Sequence, residues 1–171
     1  MEGFLNPEKT LNQLELEKDM TAADFGCGGS GGWAIPLAKT LEEGKVYAID
    51  ILEEPLSSLQ IKIKLEKLNN IEIIRSDVEQ GVKILDGQCD LVLMTNLLFQ
   101  SDDKKKILQE GKRILKLGGK ILVVDWKKDV SLGPKEGRVL PEEVKEMAGE
   151  LQLKIEKEFD ASPYHWALIL V

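Results

Sequence analysis

Asp24-Phe25-Gly26-Cys27-Gly28-Gly29-Ser30-Gly31-Gly32-Trp33 places five glycines in ten positions, between the apolar segment 20–25 (MTAADF) and a stretch with helical apolar spacing through Trp33, Ile35, Leu37 and Leu41. A strand, a glycine turn and a helix in that order make the first unit of an α/β sheet, and four more strand-like segments continue the rhythm. These are 45–50 (KVYAID), 71–76 (IEIIRS), 89–95 (CDLVLMT) and 119–125 (GKILVVD). Ile107, Leu108, Gly111, Ile114 and Leu115 fall on one stripe of a helix expected to start after Ser101 as N-cap and to end at Leu117-Gly118-Gly119. A polar loop, 127–140, then leads to a helix opened by Pro141 and to two strands, near 152–159 and 164–171, joined by the turn 160–163. So short a connection makes that last pair antiparallel. A short helix over 7–16 with Pro7 at its first position precedes the first strand.

The chain has 171 residues, the size of one domain, read as an N-terminal helical segment (1–19), a ligand-binding core (20–126) and a second part (127–171) with the loop, helix and terminal strand pair. Its apolar runs are too short to span a membrane, and its N-terminus shows no export signal, so a cytoplasmic location is expected. Two cysteines, Cys27 and Cys89, are too few for a disulfide framework, and the single histidine, His165, excludes a multi-histidine metal centre. No metal site is expected. With 23 basic and 30 acidic side chains the net charge is −7, which disfavours nucleic acid as a partner. Oligomeric state is not encoded in any pattern here.

Ligands of open parallel sheets bind beyond the C-terminal strand ends, where the strand order reverses. Asp24, Asp50, Asp77 and Asp125 all stand at or next to such ends. The glycines allow close backbone approach, and the N–H groups of the following helix start favour an anionic or carboxylate group. Gly26-x-Gly28-x-x-Gly31 with Asp50 19 residues beyond satisfies the dinucleotide fingerprint, so NAD is one candidate ligand. Asp24, two residues before the first glycine, opposes a diphosphate and suits an amine. Asp77 is placed to accept from an adenine amine while the N–H of Val78 meets a ring nitrogen. The three acids together suit an adenosine joined to an amino acid.

On these residues the chain resembles the class I S-adenosylmethionine-dependent methyltransferases. The matching stretches are Ala22-Ala23-Asp24-Phe25-Gly26-Cys27-Gly28, Val46-Tyr47-Ala48-Ile49-Asp50, Arg75-Ser76-Asp77-Val78, Cys89 to Asn96, and Leu115 to Leu122. The resemblance implies a three-layer, Rossmann-like sheet of seven strands, mostly parallel, with the antiparallel last strand inserted beside the fifth. It implies S-adenosylmethionine as cofactor, with Asp50 at the ribose, Asp77 at the adenine amine and Gly26 and Gly28 admitting the methionine part; Asp24, Phe25, Cys27, Ile51, Val78, Thr95 and Asn96 complete the expected cofactor residues. Gly29-Ser30-Gly31-Gly32 departs from the commonest loop of that family by its length or by Ser30.

The expected activity is in-line methyl transfer to a small-molecule acceptor, since no added recognition domain is visible and Thr95-Asn96-Leu97-Leu98 lacks the pattern of base-amine methylation. The acceptor side is expected at Trp126, Arg138 and Tyr164, with His165 as candidate base or positioning group. Trp126 equally suits a core cover, His165 a structural histidine, and the basic loop residues a solvated surface. The rival functions are an NAD-dependent oxidoreductase and a non-catalytic cofactor-binding partner subunit.

Overall fold

A computed structural model describes residues 4–171, so the start of the expected segment 1–19 lies outside the described residues. The elements are α1 (Pro7–Leu11), β1 (Thr21–Phe25), α2 (Ala34–Thr40), β2 (Lys45–Asp50), α3 (Glu53–Leu65), β3 (Ile71–Arg75), β4 (Cys89–Thr95), α4 (Lys104–Ile114), β5 (Leu115–Trp126), α5 (Pro141–Glu150), β6 (Ile155–Ser162) and β7 (His165–Leu170). Seven strands form one sheet in the order β3-β2-β1-β4-β5-β7-β6. Only β7 runs against the others, lodged between β5 and β6. The order reverses between β1 and β4, and that is where the crevice opens.

Side chains alternate across the strands, so each central strand feeds two cores. On one face Phe25, Ile49, Val92, Met94, Ile121 and Val123 pack with Ile107, Ile114 and Val144 from α4 and α5. On the other, Leu91, Leu93, Leu122 and Val124 meet Leu37, Leu41, Leu59 and Ile63 from α2 and α3. Burial on both faces explains why β4 and β7 read as unbroken apolar runs. Burying each large aliphatic side chain contributes about 1.5–3 kcal/mol, so this double core carries the fold.

Local chemistry sets the element ends. Asn6 caps α1 by accepting from Lys9 N at 3.0 Å. In α5, Pro141 takes the first position and Glu143 Oε1 accepts from Leu140 N at 2.9 Å.

Four boundaries differ from the sequence reading. The N-cap of α4 is Asp103, which accepts from Lys106 N at 3.1 Å, whereas the Ser101 hydroxyl donates to the Leu97 carbonyl at 2.8 Å. That helix stops at Ile114 because Leu115 pairs with Cys89, and Gly118 (φ 80°) serves a bulge before Lys120 joins Leu91. The terminal turn sits at Pro163-Tyr164, since Ser162 still pairs with His165. The N-terminal helix also ends early, at Leu11, although Leu11 and Leu14 are both buried. Among the described residues no helix is long and apolar enough to cross a membrane.

Candidate active site

The crevice at the switch point has a volume of about 470 Å³. Gly26, Gly28, Asp50, Ile51, Asp77 and Val78 line it, so six of the cofactor residues expected from sequence share one cavity. Each arrives from the end of β1, β2 or β3, which the parallel register brings to one edge.

Gly26 and Gly28 hold φ of 69° and 60°, a region costly for residues with a Cβ. A Cβ on Gly26 would lie 2.9 Å from Leu97 Cδ1, so its absence also leaves room for the β4 loop. Cys27 N donates to the Ile49 carbonyl at 2.9 Å, and Gly28 N to Asp50 Oδ2 at 3.0 Å. Leu52 N takes the other oxygen, Oδ1, at 3.0 Å. Asp50 therefore ties the glycine loop to the start of α3, and each of its oxygens keeps lone-pair capacity for a ligand. Asp77 Oδ1 accepts from Glu79 N at 2.9 Å, fixing that carboxylate at the opposite rim.

Asp24 is wholly buried, and neither of its oxygens has a hydrogen-bond partner among the described residues. Burial, and then the negative charge of Asp50, push its carboxyl up to about 8. An unpaired buried carboxyl is costly unless something arrives to satisfy it. Asn96, at φ 50°, likewise has a buried side-chain oxygen without a partner among the described residues. Thr95 is buried just before it.

Phe25 and Cys27 have side chains in the cores rather than along the crevice, and the Cys27 thiol is raised by burial. The helix start expected to face the ligand does not line it: α2 begins only at Ala34, and Gly31 instead lets the loop pack, since its Cβ would sit 2.5 Å from Ile35 Cδ1. Leu52, Pro55, Leu97, Gln100 and Asp102 also line the crevice and were not expected there. Their signal in the sequence was only adjacency to strand ends. Asp125, the fourth strand-end acid, is a brace: Phe99 N and Trp126 N donate to it at 3.1 and 2.8 Å. Burial still raises its carboxyl to about 6.

On the acceptor side, β5 and β7 pair Trp126 with His165, and their rings lie 4.1 Å apart. Phe4 stands edge-on to both, and Tyr164 is 6.3 Å from it. Arg138 is different. Its guanidinium donates to the carbonyls of Lys127, Lys128, Val130, Leu132 and Pro134, so it clamps its own loop rather than reaching for an acceptor. A cluster of donors with so many backbone carbonyls to satisfy is a structural use of arginine.

An adenosyl amino acid fits this donor set. Asp50 and Asp77 offer acceptors on the crevice rim to hydroxyl and amine donors, while Asp24, Thr95 and Asn96 are not among the residues that line it. A dinucleotide does not fit, because its diphosphate would enter a crevice rimmed by Asp50, Asp77, Glu79 and Asp102 above a buried fifth carboxyl. Among the described residues no group of three or more His, Cys, Asp or Glu is placed to hold a metal ion.

Comparison with known proteins agrees. Residues 23–123 match the family described as "Methyltransferase domain". The chain belongs to that family. A demethylmenaquinone methyltransferase from Bacillus mycoides is 28% identical over 134 residues, covering 78% of this chain and 56% of the relative. Another from Bacillus cereus is 26% identical over 154 residues, covering 89% and 64%. The chain thus spans less than two thirds of these relatives' length. A SAM-dependent methyltransferase from Aquifex aeolicus superposes with a TM-score of 0.89 at 28% identity, over 97% of this chain and 89% of that one.

Proposed function

We propose that this protein transfers a methyl group from S-adenosylmethionine to a small-molecule acceptor. The observation that carries this reading is the buried Asp24 carboxyl, without a partner among the described residues, two positions before a glycine turn whose Gly28 N–H is held by Asp50. The Asp24 carboxylate would pair with the cofactor's amine, Asp50 would accept from the ribose hydroxyls, and Asp77 with the N–H of Val78 would read the adenine edge. Gly26 and Gly28 let the backbone lie against the methionine part. The cofactor supplies a methyl group already activated on sulfur. The protein's share is therefore alignment of the acceptor in line and exclusion of water. The name of the Bacillus relatives supports an acceptor of quinone type.

Calorimetry and thermal melts with S-adenosylhomocysteine, S-adenosylmethionine and NAD test the reading. At about 100-fold over Kd a ligand adds roughly 2.7 kcal/mol, a rise on the order of 5–10 °C. Both adenosyl compounds are expected to give it, and Asp50→Asn to lose most of it. Stabilisation by NAD alone would overturn the proposal.

A further inference from the structure

Ser76, Asp77, Val78 and Glu79 line the crevice on its β3 side, and all four follow the last paired residue of that strand. Among the described residues β3 pairs only with β2, and residues 76–88 beyond it contain neither helix nor strand. A loop without ladder bonds keeps its conformational freedom unless other groups hold it, so this wall of the crevice depends on contacts from outside the sheet.

Helix α4 supplies them. Glu110 and Arg113, one turn apart, reach the loop together. Glu110 Oε1 accepts from Val82 N at 2.7 Å and Arg113 Nη2 donates to Val82 O at 3.1 Å, so both backbone groups of one loop residue are gripped. The two side chains are locked to each other as a fork, Nε to Oε2 at 2.8 Å and Nη2 to Oε1 at 2.7 Å. Only 11% of the Glu110 side chain is exposed, and its bond with Arg113 holds its carboxyl below the usual carboxylate range.

Between Val82 and the crevice the loop closes on itself. Ser76 Oγ donates to Gly81 O at 3.0 Å, while Glu79 N and Gln80 N donate to the side chain and the carbonyl of Asp77 at 2.9 and 3.0 Å. A shift at Val82 is thereby passed to Asp77. Glu79 Oε1 also accepts from Asp102 N at 3.0 Å, which ties the wall to the segment that leads into α4. The Val78 and Val82 side chains are buried in the core, but apolar contact has no direction, and the two backbone bonds at Val82 are what orient the loop.

Building on the methyltransferase reading, we propose that Glu110 and Arg113 are positioning residues for cofactor recognition, holding the loop 76–82 so that Asp77 and the Val78 N–H select adenine over a purine with oxygen in place of the amine. Neither residue lines the crevice, so both act through the loop. The oxygen-bearing base turns the amine donor into an acceptor and the ring acceptor into an N–H donor, which sets like groups against Asp77 and Val78 N.

Calorimetry with S-adenosylhomocysteine and S-inosylhomocysteine, its analogue with that base, tests this. Wild type is expected to prefer S-adenosylhomocysteine by about tenfold or more. In Glu110→Ala its affinity should fall about tenfold while that of S-inosylhomocysteine stays within about twofold, which removes most of the preference. Glu110→Gln keeps an acceptor for Val82 N and should restore most of it. Arg113→Gln leaves Glu110 on Val82 N and should lose about threefold of the preference, and it carries the test where Glu110→Ala does not fold. Equal losses for the two ligands, or an unaltered preference in either folded variant, overturn the positioning role, because a clamp that only stabilises the fold does not distinguish the bases. Equal binding of both ligands by wild type removes the adenine assignment of Asp77 and the proposal with it. Failure of both to bind wild type instead brings down the methyltransferase reading.

Discussion

A carboxyl buried without a partner, as Asp24 is, makes stability depend on pH in a direction opposite to that of an ordinary salt-bridged acid. Its folded pKa, about 8, lies above the usual 3.8, so the folded state binds more protons between those values and stability falls as pH rises through them. His165 acts oppositely below 6.5, because its folded pKa of about 4 makes the unfolded state bind protons first. Between pH 6.5 and 8 Asp24 dominates, and comparison with its Asn variant subtracts what His165 and Asp125, at about 6, still add at the lower end. Across that range the ligand-free protein is expected to lose about 1–2 kcal/mol more than Asp24→Asn does, read from urea unfolding at the two pH values. The same variant should bind S-adenosylhomocysteine much more weakly, and wild type should release protons on binding it at pH 7, measured in buffers of different ionisation enthalpy. At the glycines, Gly28→Ala should cost about 1–2 kcal/mol from its positive φ alone, since no atom lies within 4 Å of the added carbon. Gly26→Ala meets Leu97 Cδ1 in addition and should cost more. Equal effects would show that Leu97 yields freely.

Helix α4 shows how an element's end is decided by which polar group reaches a backbone donor. Asp103→Ala should destabilise by about 1 kcal/mol through loss of the bond to Lys106 N, and Ser101→Ala should have a smaller effect on the helix, as judged by circular dichroism and urea midpoints. From the sequence Ser101, Asp102 and Asp103 are interchangeable as caps, and only the path of the chain after the 3₁₀ turn Leu98–Gln100 chooses among them. The C-terminal end of α4 teaches the same lesson. Gly118 looks like a helix stop, yet pairing of Leu115 with Cys89 starts β5 three residues before it. In the loop after β5, Arg138 draws five carbonyls together and Gly133 packs on Trp126, where an added Cβ would approach the ring to 2.4 Å. Arg138 thus satisfies local carbonyls, a nearer need than any ligand.

Across the whole molecule, the inserted strand β7 joins the core to the acceptor side. Trp166 Nε1 donates to the carbonyls of Trp126 and Val139 at 3.1 and 3.2 Å, fastening both ends of the loop between β5 and α5. Trp166→Phe should cost about 1–3 kcal/mol by leaving those carbonyls unpaired, with S-adenosylhomocysteine affinity nearly intact because the crevice is built from the ends of β1, β2 and β3 and the segment after β4, none of which Trp166 Nε1 bonds. A large loss of affinity would show that the two halves of the edge are coupled. The sequence by itself determined the strand-helix order, the reversal of the last strand, and the crevice residues Gly26, Gly28, Asp50, Ile51, Asp77 and Val78. Those follow from apolar periodicity, from glycine's freedom at positive φ and from acids at strand ends, all of which are local. Tertiary structure alone decided that Asp24 has no partner among the described residues, that Asp125 braces a turn, that Arg138 closes on its own loop and that His165 is buried against Trp126 and Phe4. A polar group's role depends on which other groups the fold brings within hydrogen-bond reach and how much water it removes, and neither quantity is written in the order of residues along the chain.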